Sequence, residues 1–179
     1  MKPLLHILSG TLFSSFLLAQ QPLASPRDST QIDLNGKRIF IDYGAPSKRG
    51  REIFGSLVPY TRWWRTGANE ATSLKTDFDL LVGDTVLPKG AYTLYTLPSE
   101  KQWKLIINNQ TGQWGTVYVP EMDFVRAPMK MKKLRDVVER MKITLEKNGE
   151  NSVMLKIEWD RLLVWAEFKI VNGKQNGTK

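Results

Sequence analysis

The chain has 179 residues, 41% of them apolar, and carries 26 basic against 18 acidic side chains for a net charge of +8, values of one ordinary globular domain rather than a disordered chain. It contains no cysteine and a single histidine, His6. Disulfides are excluded, and so is lipid attachment through a leader cysteine.

The opening stretch MKPLLHILSGTLFSSFLLAQQ sets Lys2 ahead of an apolar run from Leu4 to Ala19, broken by serines and a glycine. A membrane span needs about 20 mostly apolar residues; this run is shorter and ends in a small residue, the layout of an export signal cleaved after Ala19. An exported protein, periplasmic or secreted, is therefore expected. His6 leaves with the leader, and what remains carries 25 basic and 18 acidic residues, a net +7. Without His or Cys, Ser-His-Asp triads, Cys-His nucleophiles and the usual zinc, copper and haem ligand sets are unavailable. Catalysis would have to come from carboxylates, Lys, Tyr or Ser, and a metal would need hard oxygen ligands; no cofactor or metal is expected. The basic balance permits an anionic partner, for an exported protein an envelope component or acidic glycan rather than nucleic acid.

Residues 20–31 read as a lead-in, 32–171 as one domain and 172–179 as a polar tail. Through the domain, apolar residues recur at every second position. RIFIDY puts Ile39, Ile41 and Tyr43 on one face, TSLKTDF aligns Thr72, Leu74, Thr76 and Phe78, and WKLII aligns Trp103, Leu105 and Ile107. RMKITLE alternates Met141, Ile143 and Leu145, and VMLKIEWD alternates Val153, Leu155, Ile157 and Trp159. Between the runs lie VGDT, LPKG, LPSEK, NNQTG and KNGEN, each with the Gly, Asn, Asp or Pro of a tight turn. The pattern predicts an all-β, antiparallel β-sandwich of about ten short strands with little or no helix outside the leader.

One segment has helical spacing, MKMKKLRDVVERM (129–141). The strand reading is preferred because it continues into the alternation from Arg140. Its cations Arg126, Lys130, Lys132, Lys133 and Arg135 suit a solvated edge strand whose lysines discourage pairing, or docking to an anionic surface that salt would weaken.

Three segments, IDYGAPSKRGREIFGSLVPYTRWWRTGANEAT (41–72), LPKGAYTLYTLPSEKQWKLIIN (87–108) and QWG (113–115), followed by IEW (157–159), resemble the exported bacterial family catalogued as domain of unknown function 2911. The resemblance spans about Ile32 to Val171 and implies a signal peptide and a predominantly β domain. It supplies no catalytic residues.

Two units within these motifs are candidate sites. In SKRGREIFG, Lys48, Arg49 and Arg51 are expected outside with Ile53 and Phe54 tucked in, closing one end of the fold or meeting a carboxylate or phosphate. In VPYTRWWRTGANEAT, alternation sends Trp63 and Arg65 to one side and Trp64 and Thr66 to the other. The turn Thr66-Gly67-Ala68-Asn69 then needs a positive φ at Gly67 or Asn69. Arg65 and Glu70 flank that turn as a structural clamp. Alternatively Arg65, Asn69 and Glu70 fix the hydroxyls of a sugar beside Tyr60, Trp63 and Trp64. The function expected is a non-enzymatic binding or envelope-associated module. The alternative is a metal-independent glycoside hydrolase using Glu70, with Asp42 or Asp77 as its second carboxylate.

Overall fold

The computed structural model describes residues 25–171; the expected export signal, the start of the lead-in and the tail lie outside the described residues. The strands are β1 (Arg27–Leu34), β2 (Lys37–Gly44), β3 (Thr72–Thr76), β4 (Asp79–Val82), β5 (Thr85–Leu87), β6 (Gly90–Leu97), β7 (Trp103–Asn108), β8 (Asp123–Lys147) and β9 (Ser152–Val171). The helical content among the described residues is one 3-10 turn at Pro120–Met122. All ladders are antiparallel, and they join nine strands into one sheet in the order β1-β2-β3-β6-β7-β8-β9-β4-β5. Residues 27–31, read from sequence as lead-in, form the first part of β1.

The expected faces are the observed ones. Ile39, Ile41, Tyr43, Leu74, Leu105, Ile107, Met141, Ile143, Val153, Leu155, Ile157 and Trp159 are all buried in one core. Burying each large apolar side chain of this kind contributes roughly 1.5–3 kcal/mol, and the chain relies on that burial because it has no disulfide.

The segment with helical spacing is strand, lying inside the 25 residues of β8. Pro128 is tolerated there because it falls before the β9 ladder, whose first partner on β8 is Lys130. β8 is an inner strand of the sheet, pairing with β7 through Asp123–Met129 and with β9 from Lys130 onward; along Lys130–Lys133 its side opposite β9 carries no ladder, so the lysines stand on a locally open edge. Further along, from Met141 to Leu145, that side of β8 is sealed from across the sheet. The amide of Met141 donates to Pro46 O at 2.9 Å, that of Ile143 to the Tyr43 hydroxyl at 3.0 Å, and that of Leu145 to Thr30 Oγ1 at 3.2 Å. The sheet thus curls until β1 and β2 lie along β8, closing an edge that would otherwise template association.

The β8 ladder is interrupted twice, between Lys133 and Val138 and between Val138 and Lys142. Lys133 faces Leu162 and Val138 faces Asp160, so residues 134–137 are looped out as a large bulge. Asp160 opposite it takes φ 51°.

Candidate functional site

The 59–72 segment is built around one short bridge. Trp64 N donates to Thr96 O at 2.7 Å and Thr96 N returns the bond at 2.9 Å. This fixes the alternation that the sequence predicts. Trp64 turns inward, stacked on Trp159 at 5.9 Å and edge-on to Trp103 at 6.1 Å. Trp63 stays outside, 38% exposed, against Tyr95 and Tyr118. Phe54 packs edge-on to both Trp103 and Trp159, so the SKRGREIFG loop does close this end, with Ile53 fully buried.

In the turn, the positive φ falls on Asn69 (63°) and also on Thr66 (54°). Thr66 is fully buried, its hydroxyl bonded to Thr96 Oγ1 at 3.1 Å and its carbonyl accepting from Thr72 Oγ1 at 2.9 Å. These bonds hold a threonine in a conformation it rarely adopts. The turn is then locked by the distant QWG motif. Ala71 N donates to Gln113 O at 3.1 Å, Gly115 N donates to Asn69 O at 2.9 Å, and Glu70 pairs with Trp114 in an isolated bridge. Gly115 has no room for a side chain: a Cβ would stand 2.6 Å from Asn69 O and 2.7 Å from Arg65 Cδ. The stem of Arg65 therefore lies across Gly115.

The Arg65–Glu70 clamp is not formed. Arg65 Nε donates to Gly67 O at 3.1 Å, turning back over its own loop. Glu70 faces Arg27 instead, with 3.6 Å between Nη1 and Oε2, and Arg27 also pairs with Asp42. Register explains the exchange, since Arg27 and Asp42 lie at the same end of the β1–β2 ladder, and Glu70 precedes β3, the next strand. The carboxylates of Glu70 and Asp42 thus meet on a single guanidinium. Asp77 lies beyond the other end of β3, where its Oδ2 accepts from Arg38 N at 2.9 Å.

The six candidate residues divide. Trp63, Trp64 and Arg65 line one cleft of about 460 Å³. Asn69 is tied to Ser25 O by its amide at 3.3 Å. Tyr60 lies over Gly55, and its phenol is pushed above its ordinary range by burial and then by the charges of Glu100 and Glu52. Glu70 lies outside the cleft, its side chain 58% exposed.

The cleft adds residues that alternation did not single out together: Arg51, Arg62 and Trp159, with Gly115 and Thr116 on the far wall. No acidic side chain lines it among the described residues. Arg51 is committed to Lys48 O at 3.0 Å and Ser47 O at 2.6 Å, and Lys48 to Asp160 at 2.8 Å. Arg65 uses only its Nε, and Arg62 has no bonded partner among the described residues. Arg62 and Arg65 therefore keep unused N–H donors in a cleft that Trp63, Trp64 and Trp159 also line, with Trp63 the exposed ring and Trp159 2% exposed beneath its stack with Trp64. Such donors match carboxylate or phosphate oxygens in pairs.

Behind Trp63 a polar network holds the loop that carries the far wall. Asp123 accepts from Asn108 Nδ2 at 2.8 Å, Tyr118 Oη at 2.6 Å and Arg126 Nε at 2.8 Å. Burial, and then the bond and charge of Asp123, push the Tyr118 phenol up to about 12. Tyr95 donates to Val117 O at 2.6 Å and accepts from Gln113 Nε2 at 2.9 Å. This network joins residues far apart in sequence and has no spacing signal.

Fold and site define an all-β antiparallel domain with a cleft lined by arginines and tryptophans. The chain belongs to the family described as Protein of unknown function (DUF2911), whose profile matches residues 25–168. No curated protein and no solved structure matches it significantly. Among the described residues, no helix is long and apolar enough to cross a membrane.

Proposed function

We propose that the protein is an exported, non-enzymatic binding module whose cleft takes an anionic glycan, an acidic sugar unit of the cell envelope or its surroundings. The observation that carries this reading is a cleft that brings the unused guanidinium donors of Arg62 and Arg65 together with the exposed ring of Trp63 and the partly buried Trp64, with no acidic lining among the described residues. Aromatic faces cover the C–H surface of a sugar ring, and arginines fix its carboxylate. The export signal read over residues 1–19 supports the same compartment. The test is a titration of the protein with an oligogalacturonate and with a neutral oligosaccharide of the same length. The acidic ligand should bind at least about tenfold tighter, as expected of charge-assisted pairs. Equal affinity for the two, or binding to neither, would sink the reading.

A second reading, a metal-independent hydrolase using Glu70 and Asp42, draws on the meeting of those two carboxylates at Arg27. A glycosidase needs its carboxyl groups in the substrate cleft, whereas Glu70 does not line the cleft and its side chain is 58% exposed. Glu70→Gln separates the two readings: it abolishes turnover of a glycan in the hydrolase and leaves binding intact in the module.

A further inference from the structure

The bulge in β8 is a second surface, built of different residues from the cleft. Residues 134–137 leave the ladder, and Val137 is 43% exposed between the half-buried Leu134 and Val138. Lys132, Lys133, Arg135, Arg140 and Arg161 surround them and are all exposed. None of these five cations forms an ion pair among the described residues. Of the nearby acids, Asp160 is held by Lys48; Asp136, Glu139, which accepts from Arg49 N at 2.8 Å, and Glu158, opposite Lys142, leave the five cations in excess. Arg161 Nη1 donates to Arg135 O, tying the bulge to β9.

We propose that this bulge docks the protein on an anionic lipid bilayer. The cations supply attraction to the negative headgroups, and Val137 with its neighbours supplies a small apolar tip for the headgroup boundary. Val138 faces Asp160, and the neighbouring Trp159, which lines the cleft, donates through Nε1 to Glu139 O at 3.3 Å. The docked bulge therefore sets the cleft beside the lipid surface. The inference rests on the bulge alone and does not need the glycan reading.

The test is co-sedimentation of the full chain with vesicles of phosphatidylcholine, with and without phosphatidylglycerol. Residues 1–24 are common to every variant, so differences between variants report the bulge. The triple variant Lys132→Glu, Lys133→Glu, Arg135→Glu should bind phosphatidylglycerol vesicles at least about tenfold more weakly, and salt should weaken the wild type in the same direction. Val137→Asp should weaken binding and Val137→Trp strengthen it, each with an unchanged near-ultraviolet circular dichroism spectrum. Equal binding by wild type and triple variant would overturn the proposal. So would a loss of vesicle binding in Arg62→Ala, Arg65→Ala that the bulge variants do not share, since that would place the lipid contact in the cleft.

Discussion

Gly115 and Arg65 occupy one space: a Cβ at Gly115 would stand 2.7 Å from Arg65 Cδ and 2.6 Å from Asn69 O. The smallest residue of the QWG motif is thus what lets the arginine of WWRTG lie along the cleft wall. Gly115→Ala must displace the side chain, the backbone or both. The expected loss is about 1–3 kcal/mol, the range for forcing extra atoms into a packed site, read as a lowered midpoint in urea. Acidic-glycan affinity should fall with it. A variant as stable and as tightly binding as the parent would contradict this packing.

The two adjacent tryptophans should behave oppositely. Trp64, partly buried, packs against Trp103 and Trp159, so Trp64→Ala should cost up to about 3 kcal/mol, the low end for large aromatics of a packed core. Trp63 is 38% exposed, and Trp63→Ala should cost clearly less. Denaturant curves of both variants decide it, and equal losses would show that the assignment of inside and outside is wrong.

Alkaline stability should hinge on two phenols. Burial, chiefly, pushes Tyr43 up to about 12, and burial with Asp123 pushes Tyr118 up to about 12. Above pH ~10 the unfolded chain releases these protons while the folded chain keeps them, so stability is full below pH ~10 and is lost as pH rises through ~12. Tyr118→Phe should flatten that decline. Tyr43→Phe should flatten it too, while costing about 1–3 kcal/mol at neutral pH because Ile143 N loses its acceptor. Melting curves against pH check both, and an unchanged alkaline slope in the two variants would refute the linkage.

Arg27 stands between Asp42 and Glu70. Because the groups are partly solvated, Arg27→Ala should cost no more than about 1 kcal/mol. Adding Glu70→Gln in that background should recover part of the loss by removing the repulsion on Asp42. A double-mutant cycle measures the coupling, and additivity would mean that the two carboxylates do not share the arginine.

The fold was legible where a face is set by local alternation. Ile39, Ile41 and Tyr43, or Val153 through Trp159, show their core side within a single strand, because successive side chains point to opposite faces. Partners were not legible, since alternation names a face but not the strand across the ladder. For that reason Glu70 seemed to belong with Arg65, five positions away, when its cation is Arg27 on another strand. Likewise the cluster from Lys130 to Arg135 suggested an edge strand, whereas β8 is an inner strand that passes from β7 to β9 at that point and is open there only on the side opposite β9. Of the site, Trp63, Trp64 and Arg65 were found because they sit together in the chain. Arg62 was not singled out, and Trp159 was read on the core face, because a cleft shared with residues 115–116 has no signature in spacing.

The most direct measurement of the glycan reading is a binding cycle between protein and ligand. Wild type and the variant Arg62→Ala, Arg65→Ala are each titrated with an oligogalacturonate and with the same oligosaccharide after its carboxyl groups are reduced to alcohols. If these arginines hold the carboxylate, the wild type loses affinity when the ligand is reduced and the variant does not, a coupling of about 1.5–3 kcal/mol. If the acidic ligand binds both proteins alike, or the reduced ligand binds the wild type as well as the acid does, the cleft is not an acidic-glycan site.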